Sequence, residues 1–406
     1  MLSQSQEIAA SHVESEPLAY RAVRGGLWVA VSSYWTIAFG FVANIILTRL
    51  LSPEAFGTFA LAMFFAQLLR LEPKLGIGQA FGQHKKMSEE AIGTYFGLNV
   101  PIILAGLALT MLAAPVLRSL GYEAIIVQVM LALAVAAVLE SAGGLAGVML
   151  DKELRFGPTS LWQSLVFPIS YVPAFWLAVH NGGAWSLAAQ TLTYSTLLMV
   201  GAWWIIRRQL PYVFQMHWRF SQDLARHFLR FGITVGAVAL AAMLASQLDN
   251  FFIGTFVGVA VLGFYDRAHR TAQWPATLLT NMVSRTAFYT YARLQDDLPR
   301  LRKTATMVLW MVVLLAWPIA LVIFVTAPDL IVLLYGERWL PSVVFLRILV
   351  LVSALKPLWD NASTLFAAIG KPKLSLAFMG AQVGVLAVAG LPLTLAFGAL
   401  GTCVAV

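Results

Sequence analysis

Between positions 259 and 290 an otherwise apolar run carries Asp266, Arg267, His269, Arg270 and Arg285. On a helix turning about 100° per residue, Arg270, Thr271, Trp274, Asn281, Arg285 and Tyr289 all fall within about 60° of Arg267. Guanidiniums match phosphate bidentately, and an indole, an amide and a phenol suit ring faces and hydroxyls. One helix face therefore reads as a track for an anionic, hydroxylated ligand. In the competing reading Arg267 and Arg285 sit near opposite ends of the helix and snorkel toward water, with Asp266 neutralising one of them. Pro275 would rotate the lower half of the helix, so the spacing speaks most directly for Arg267, Arg270 and Trp274.

Two further polar centres interrupt apolar stretches. Lys356 and Asp360 form an i to i+4 pair beside Asn361, with Pro357 between them, a residue tolerated in a membrane helix where protein or cavity water satisfies the freed carbonyl. Ser246, Gln247, Asp249 and Asn250 form the other knot. Asp249 is either a counter-ion, of Arg267 or of Lys356, or a proton or sodium site that couples ion occupancy to a change of state; Asp360 is a second coupling candidate. Glu140 is a further carboxylate at depth. Ser33, Gly40, Asn44 and Thr48 share one stripe, as Gln67 shares one with Arg70, followed by Glu72. Such stripes mean close helix packing, or hydroxyl and amide contacts to a cavity.

These residues must be positioned by elements that a soluble core does not contain. Of 406 residues, 60% are hydrophobic and 11% charged, with mean hydropathy +0.78, whereas soluble domains carry about 25% charged residues. Apolar runs of about 20 residues, the length that crosses the hydrocarbon core, recur with short polar breaks. They lie near 26–48, 54–71, 91–114, 124–149, 159–180, 184–206, 231–256, 259–290, 304–327, 341–369 and 374–397. The fold class is all-α: a polytopic membrane protein with eleven complete spans and a truncated twelfth at Gly398 to Val406.

Lys and Arg are retained on the cytoplasmic side of short loops. With the N-terminus inside, the inner segments hold eighteen of the 27 basic residues and the outer loops three, Arg49, Arg118 and Arg338. The chain divides into a cytoplasmic tail (1–20), a six-helix lobe (21–206), a basic cytoplasmic linker (207–230) suited to anionic headgroups, and an incomplete second lobe (231–406). No residue-level internal repeat is evident, so the two-lobe division rests on linker size and span count.

The +8 net charge is explained by topology, and nucleic-acid binding is not expected. Cys403 is the single cysteine, the six histidines are scattered, and no phosphate-cradling glycine loop follows a strand, Gly76 to Gly82 included. An enzyme, a metal site and a cofactor are therefore not expected.

Six stretches carry a resemblance in order along the chain: Leu50 to Ala62 (LLSPEAFGTFALA), Asp151 to Phe156 (DKELRF), Asp249 to Gly254 (DNFFIG), Leu262 to Ala268 (LGFYDRA), Leu334 to Trp339 (LYGERW) and Lys356 to Asp360 (KPLWD). Together they are similar to the polysaccharide transporter family of the multidrug/oligosaccharidyl-lipid/polysaccharide flippase superfamily, which completes twelve or more helices. The resemblance implies two pseudo-symmetric lobes around a central cavity in the bacterial inner membrane. It implies alternating access that moves a polyprenyl-diphosphate-linked oligosaccharide from the inner to the outer leaflet; the Asp249 reading leaves H+ or Na+ as partners, and neighbouring genes for glycosyltransferases and a polymerase would be the observation that separates this reading from drug export. Arg267, Arg270, Trp274, Asn281, Arg285 and Lys356 are then the substrate-binding candidates, and Asp249 and Asp360 the coupling ones. The alternatives are a drug or cation antiporter of the same superfamily, which should show acids dominating the cavity, and a flippase for lipid-linked peptidoglycan precursor.

Overall fold

The computed structural model describes residues 18–84, 87–274, 287–288, 290–369 and 372–405, and these contain helices and no strand. Most of the expected tail, together with Pro275, Asn281, Arg285 and Tyr289, lies outside the described residues. The first six expected spans fall on α1 (Leu18–Leu50), α2 (Pro53–Leu69) with the short α3 (Ile77–Gln83), α4 (Glu89–Ser119), α5 (Ala124–Lys152), α6 (Phe156–Val179) and α7 (Ala184–Gln209). The later ones fall on α8 (Gln222–Phe252), α9 (Val259–Ala272), α10 (Leu298–Tyr335), α11 (Ser342–Ser353) with α12 (Lys356–Ala368), and α13 (Pro372–Val385) with α14 (Leu391–Phe397). The terminal apolar stretch is the short helix α15 (Ala399–Ala405).

Local chemistry sets the boundaries. Ser52 caps α2 by accepting from the Ala55 amide, with Pro53 at the first helical position, and Ser88 and Ser221 cap α4 and α8 in the same way. Gly258 and Gly336, at φ 131° and 97°, make turns that a side chain would strain. The tenth span breaks between α11 and α12, so Pro357 enters at the first turn of a new helix, where its missing N–H costs no bond.

Nine segments among the described residues are long and apolar enough to cross a membrane. Of the eleven expected spans, two fall short for different reasons. The sixth is one continuous helix, α7, diluted by Gln190, Thr191, Thr193, Ser195 and Thr196. The eighth begins as the charged helix α9 and then leaves the described residues.

The expected linker is shorter than 207–230, because α7 runs to Gln209 and α8 starts at Gln222. The remaining segment is docked on α4 as well as exposed. Trp218 stacks on Phe96 at 4.6 Å, the Ser221 amide donates to Thr94 Oγ1 at 2.9 Å, and the Arg219 amide donates to the Glu89 carbonyl at 3.3 Å.

Two glycine-mediated approaches hold the lobes together. On the face carrying the α1–α2 and α10–α11 turns, a Cβ at Gly57 would lie 1.7 Å from the Val259 carbonyl, and one at Gly263 1.9 Å from the Pro53 carbonyl. Helices α2 and α9 thus pack backbone to backbone, and the core there is shared by both lobes, with Leu47, Phe56 and Leu61 against Leu262, Tyr265 and Trp339. Toward the linker face Gly232 and Gly236, in G-x-x-x-G spacing, press on the Leu75 and Lys74 carbonyls.

The turn face carries a latch between lobes. Arg49 donates to the Leu333 and Leu334 carbonyls at the end of α10, the fully buried Trp339 donates through its indole to the Thr48 carbonyl at 2.9 Å, and Tyr122 and Thr255 share a hydroxyl bond of 2.9 Å.

Candidate functional site

Helix α9 has two polar faces, and each meets a different partner. On one, Asp266 and Arg267 are each 5% exposed. Arg267 donates to Asp266 through Nε and Nη2 and to Asn44 Oδ1 on α1, and its guanidinium sits 4.2 Å from the centre of the Phe56 ring. Arg270 donates through Nε to both oxygens of the same carboxylate, at 3.0 and 3.1 Å. Asp266 is thus the hub of a three-residue group that carries one net positive charge.

The two arginines differ in what they present. The Arg270 side chain is 60% exposed, whereas that of Arg267 is 6% exposed. The two Nη groups of Arg270 take no hydrogen bond among the described residues. Tyr171 of α6 lies within electrostatic range of both arginines, and Tyr335 of α10 shares a hydroxyl bond of 2.9 Å with Thr271. Arg270 can therefore offer a fork to an anion, whereas Arg267 is spent on holding α1, α9 and Asp266 together.

On the other face of α9, Tyr265 donates to Asp249 Oδ2 at 2.6 Å, and His269 Nδ1 lies 3.4 Å from the same oxygen. Asp249 is buried, and its Oδ1 has no hydrogen-bond partner among the described residues. A π-helical turn, Ile253–Val257, follows directly, the kind of local widening that accompanies functional sites.

The expected role of Asp249 as counter-ion of Arg267 or Lys356 is corrected here. Tyr265 and His269 are four residues apart and share the face turned to α8, while Arg267 looks the opposite way and uses its sequence neighbour Asp266. Trp274 is also less open than a stacking platform, because its half-buried ring meets Phe41 edge-on at 4.8 Å. Lys356 is exposed at the start of α12, with no bond to α9 among the described residues. The side chain of Asp360, like Asn281 and Arg285, lies outside the described residues.

A second polar group, in the N-terminal lobe, went unrecognised as a unit. Arg70, at the end of α2, pairs with Glu140 at 3.2 Å and Glu72 at 3.4 Å, and Ser141 accepts from Arg70 and donates to Glu72. It borders a cavity of about 510 Å³ whose lining includes Arg70, Glu72, Glu140, Asp151, Trp162 and Gln163. The sequence signal was three ionisable residues at span depth, but nothing in the spacing of 70 and 140 links them.

The family model described as "Polysaccharide biosynthesis protein" matches residues 46–344. The chain belongs to this family. It is 22% identical over 365 residues to the lipopolysaccharide biosynthesis protein WzxC of Escherichia coli, covering 89% of this chain and 73% of that one. It is 26% identical over 316 residues to the succinoglycan biosynthesis transport protein ExoT of Rhizobium meliloti, covering 77% and 62%; the chain thus spans less than two thirds of ExoT. In fold it is similar to the lipid II flippase MurJ in an inward closed conformation, with TM-score 0.75 at 14% identity over 93% of this chain and 84% of that one. An inward-facing multidrug resistance transporter of the MATE family gives TM-score 0.68 at 15% identity, over 91% and 90%.

Within this polysaccharide biosynthesis family member, three of the six motif stretches build the turn face. LLSPEAFGTFALA supplies Ser52, Pro53, Phe56 and Gly57, LYGERW supplies Gly336 and Trp339, and LGFYDRA supplies Gly263 and the Asp266–Arg267 pair. These stretches form one contact region between lobes.

Proposed function

We propose that this protein is a flippase that carries a polyprenyl-diphosphate-linked oligosaccharide from the inner to the outer leaflet of the bacterial cytoplasmic membrane by alternating access, for cell-surface polysaccharide synthesis. The observation that carries the reading is Arg270, a guanidinium held among the described residues by Asp266 through Nε alone and otherwise exposed. A bidentate fork on a diphosphate in a low-dielectric site is a strong, charge-assisted contact. The lipid tail can stay in the bilayer, so only the polar head needs a path between the lobes.

With the N-terminus cytoplasmic, the latched turn face is the outer one, and the cavity bounded by Arg70 and Glu140 belongs to the inner half. Loading then occurs from the inner leaflet, and the latch between Arg49, Trp339 and the facing carbonyls must open for release. Asp249, whose Oδ1 has no hydrogen-bond partner among the described residues and whose Oδ2 lies beside His269, is the group on which H+ or Na+ would act. Glycosyltransferases would supply the cargo and a polymerase would consume it.

The test is transport of lipid-linked oligosaccharide in proteoliposomes. Arg270→Ala is expected to abolish it while the protein remains folded, and Arg270→Lys to restore part of it, because an ammonium keeps the charge and loses the fork. Undiminished transport by folded Arg270→Ala protein would overturn the reading. One observation favours the rival drug or cation antiporter: Glu72, Glu140 and Asp151 outnumber Arg70 in the cavity lining. Export of an organic cation in the same proteoliposomes, with no lipid-linked sugar moved, would establish that rival.

A further inference from the structure

We propose that the cavity in the N-terminal lobe is a sugar subsite, distinct from Arg270, that takes an uncharged, hydroxyl-rich ring of the cargo; this rests on the flippase reading. Its volume of about 510 Å³ falls within the roughly 300–1,000 Å³ of small-ligand pockets.

Three features of its walls suit a sugar. The first is a fixed aromatic ring. The Trp162 indole N–H is bound to the Leu197 carbonyl at 2.9 Å, and the ring lies so close over Gly201 that a Cβ there would fall 1.8 Å from Nε1. It can therefore offer apolar surface to the C–H face of a ring without losing rotamer freedom on binding.

The second is an excess of acceptors. Glu140 is half exposed and, among the described residues, paired with Arg70, and the side chains of Asp151 and Gln163 are exposed in the lining with no hydrogen bond to another described residue. A carboxylate accepts from neighbouring hydroxyls through two oxygens. Arg70 is already shared between two carboxylates, so among the described residues the lining has no spare cation to receive an acidic sugar.

The third is a bare floor. Gly144 and Gly147 of α5 line the cavity, and a Cβ at either would meet no atom within 4 Å. This contrasts with Gly143 one residue away, whose Cβ would touch the Met199 backbone at 3.0 Å. Gly143 serves helix packing, whereas the space over Gly144 and Gly147 is available to a ligand. Tyr194 and Tyr171 both pack edge-on against Phe167, at 5.5 and 5.4 Å.

The test separates sugar from diphosphate. Two probes are used with purified protein in nanodiscs: polyprenyl diphosphate alone, and the same lipid carrying a neutral disaccharide. Wild type is expected to bind the sugar-bearing lipid at least tenfold more tightly. Gly147→Leu, whose Cβ meets no atom within 4 Å, projects a side chain into the cavity and should remove that advantage while binding the sugar-free lipid as wild type does. Arg270→Ala should weaken both probes.

Equal affinity of wild type for the two probes, or an undiminished sugar advantage in Gly147→Leu, would overturn the subsite while leaving the flippase reading intact. Failure of wild type to bind either probe would overturn both. A third probe carrying glucuronic acid should bind less tightly than the neutral one, with Glu140→Gln narrowing the gap. Tighter binding of the acidic probe by wild type would overturn the assignment to an uncharged ring.

Discussion

Asp266→Asn isolates the electrostatic hub of the site. The carboxylate is 5% exposed and receives four guanidinium N–H contacts within 3.1 Å, two from Arg267 and two from Arg270. Neutralising it raises the local charge from one positive to two. Arg270 can shed part of the penalty, because its side chain is 60% exposed. Arg267 cannot, because it is 5% exposed between Asn44 and the Phe56 ring. Removing one partner of a buried ion pair costs about 3–5 kcal/mol, and Asn retains one acceptor, so a loss of about 3 kcal/mol is expected.

Asp266→Asn combined with Arg267→Met should recover most of that loss, since the uncompensated buried charge disappears and the methionine packs on Phe56. The assay is denaturant unfolding in detergent micelles, followed by intrinsic tryptophan fluorescence and by size exclusion. A single variant within 1 kcal/mol of wild type, or a double variant less stable than the single, would refute the argument that Asp266 holds Arg267 in place.

Three other outcomes are expected. Trp339→Phe removes the indole bond to Thr48 but keeps an aromatic ring against Phe56 and Phe264; at about 1 kcal/mol for the bond, it should shift the conformational ratio about fivefold toward outward-open, read as faster labelling of a cysteine placed in the α1–α2 turn in a Cys403→Ser background. Asp249→Asn should leave cargo binding measurable while slowing transport and flattening its pH profile in vesicles; an unchanged rate and profile would reduce Asp249 to a structural partner of Tyr265 and His269. An impermeant thiol reagent added to intact cells should label Glu337→Cys and spare Arg302→Cys, and the reverse pattern would invert the proposed orientation.

The sequence by itself determined the class of fold and where most elements begin. Apolar runs of membrane length are written locally, and so are their ends: Ser52 with Pro53, Ser88 and Ser221 cap helices using atoms within three residues. The ordered motifs carried the family. That Arg270 needs a partner was also legible, because an arginine deep in an apolar run must face either a cavity or a counter-charge, and it meets Asp266.

Tertiary structure decided the pairings. A helical wheel placed Arg267 and Arg270 on one face and offered Asp266 as a neutralising partner, but could not rotate that helix against α1 and α8, so it missed that both arginines share Asp266, that Asn44 completes the hold on Arg267 and that Asp249 meets Tyr265 and His269. Arg70 and Glu140 are brought together only by packing of α2 on α5. The glycines give the same lesson: Gly57 and Gly147 look alike in sequence, yet one lies against the Val259 carbonyl and the other over open space. A residue without a side chain records that room was needed, and only the approach of a second helix determines whether a neighbour or a ligand uses it.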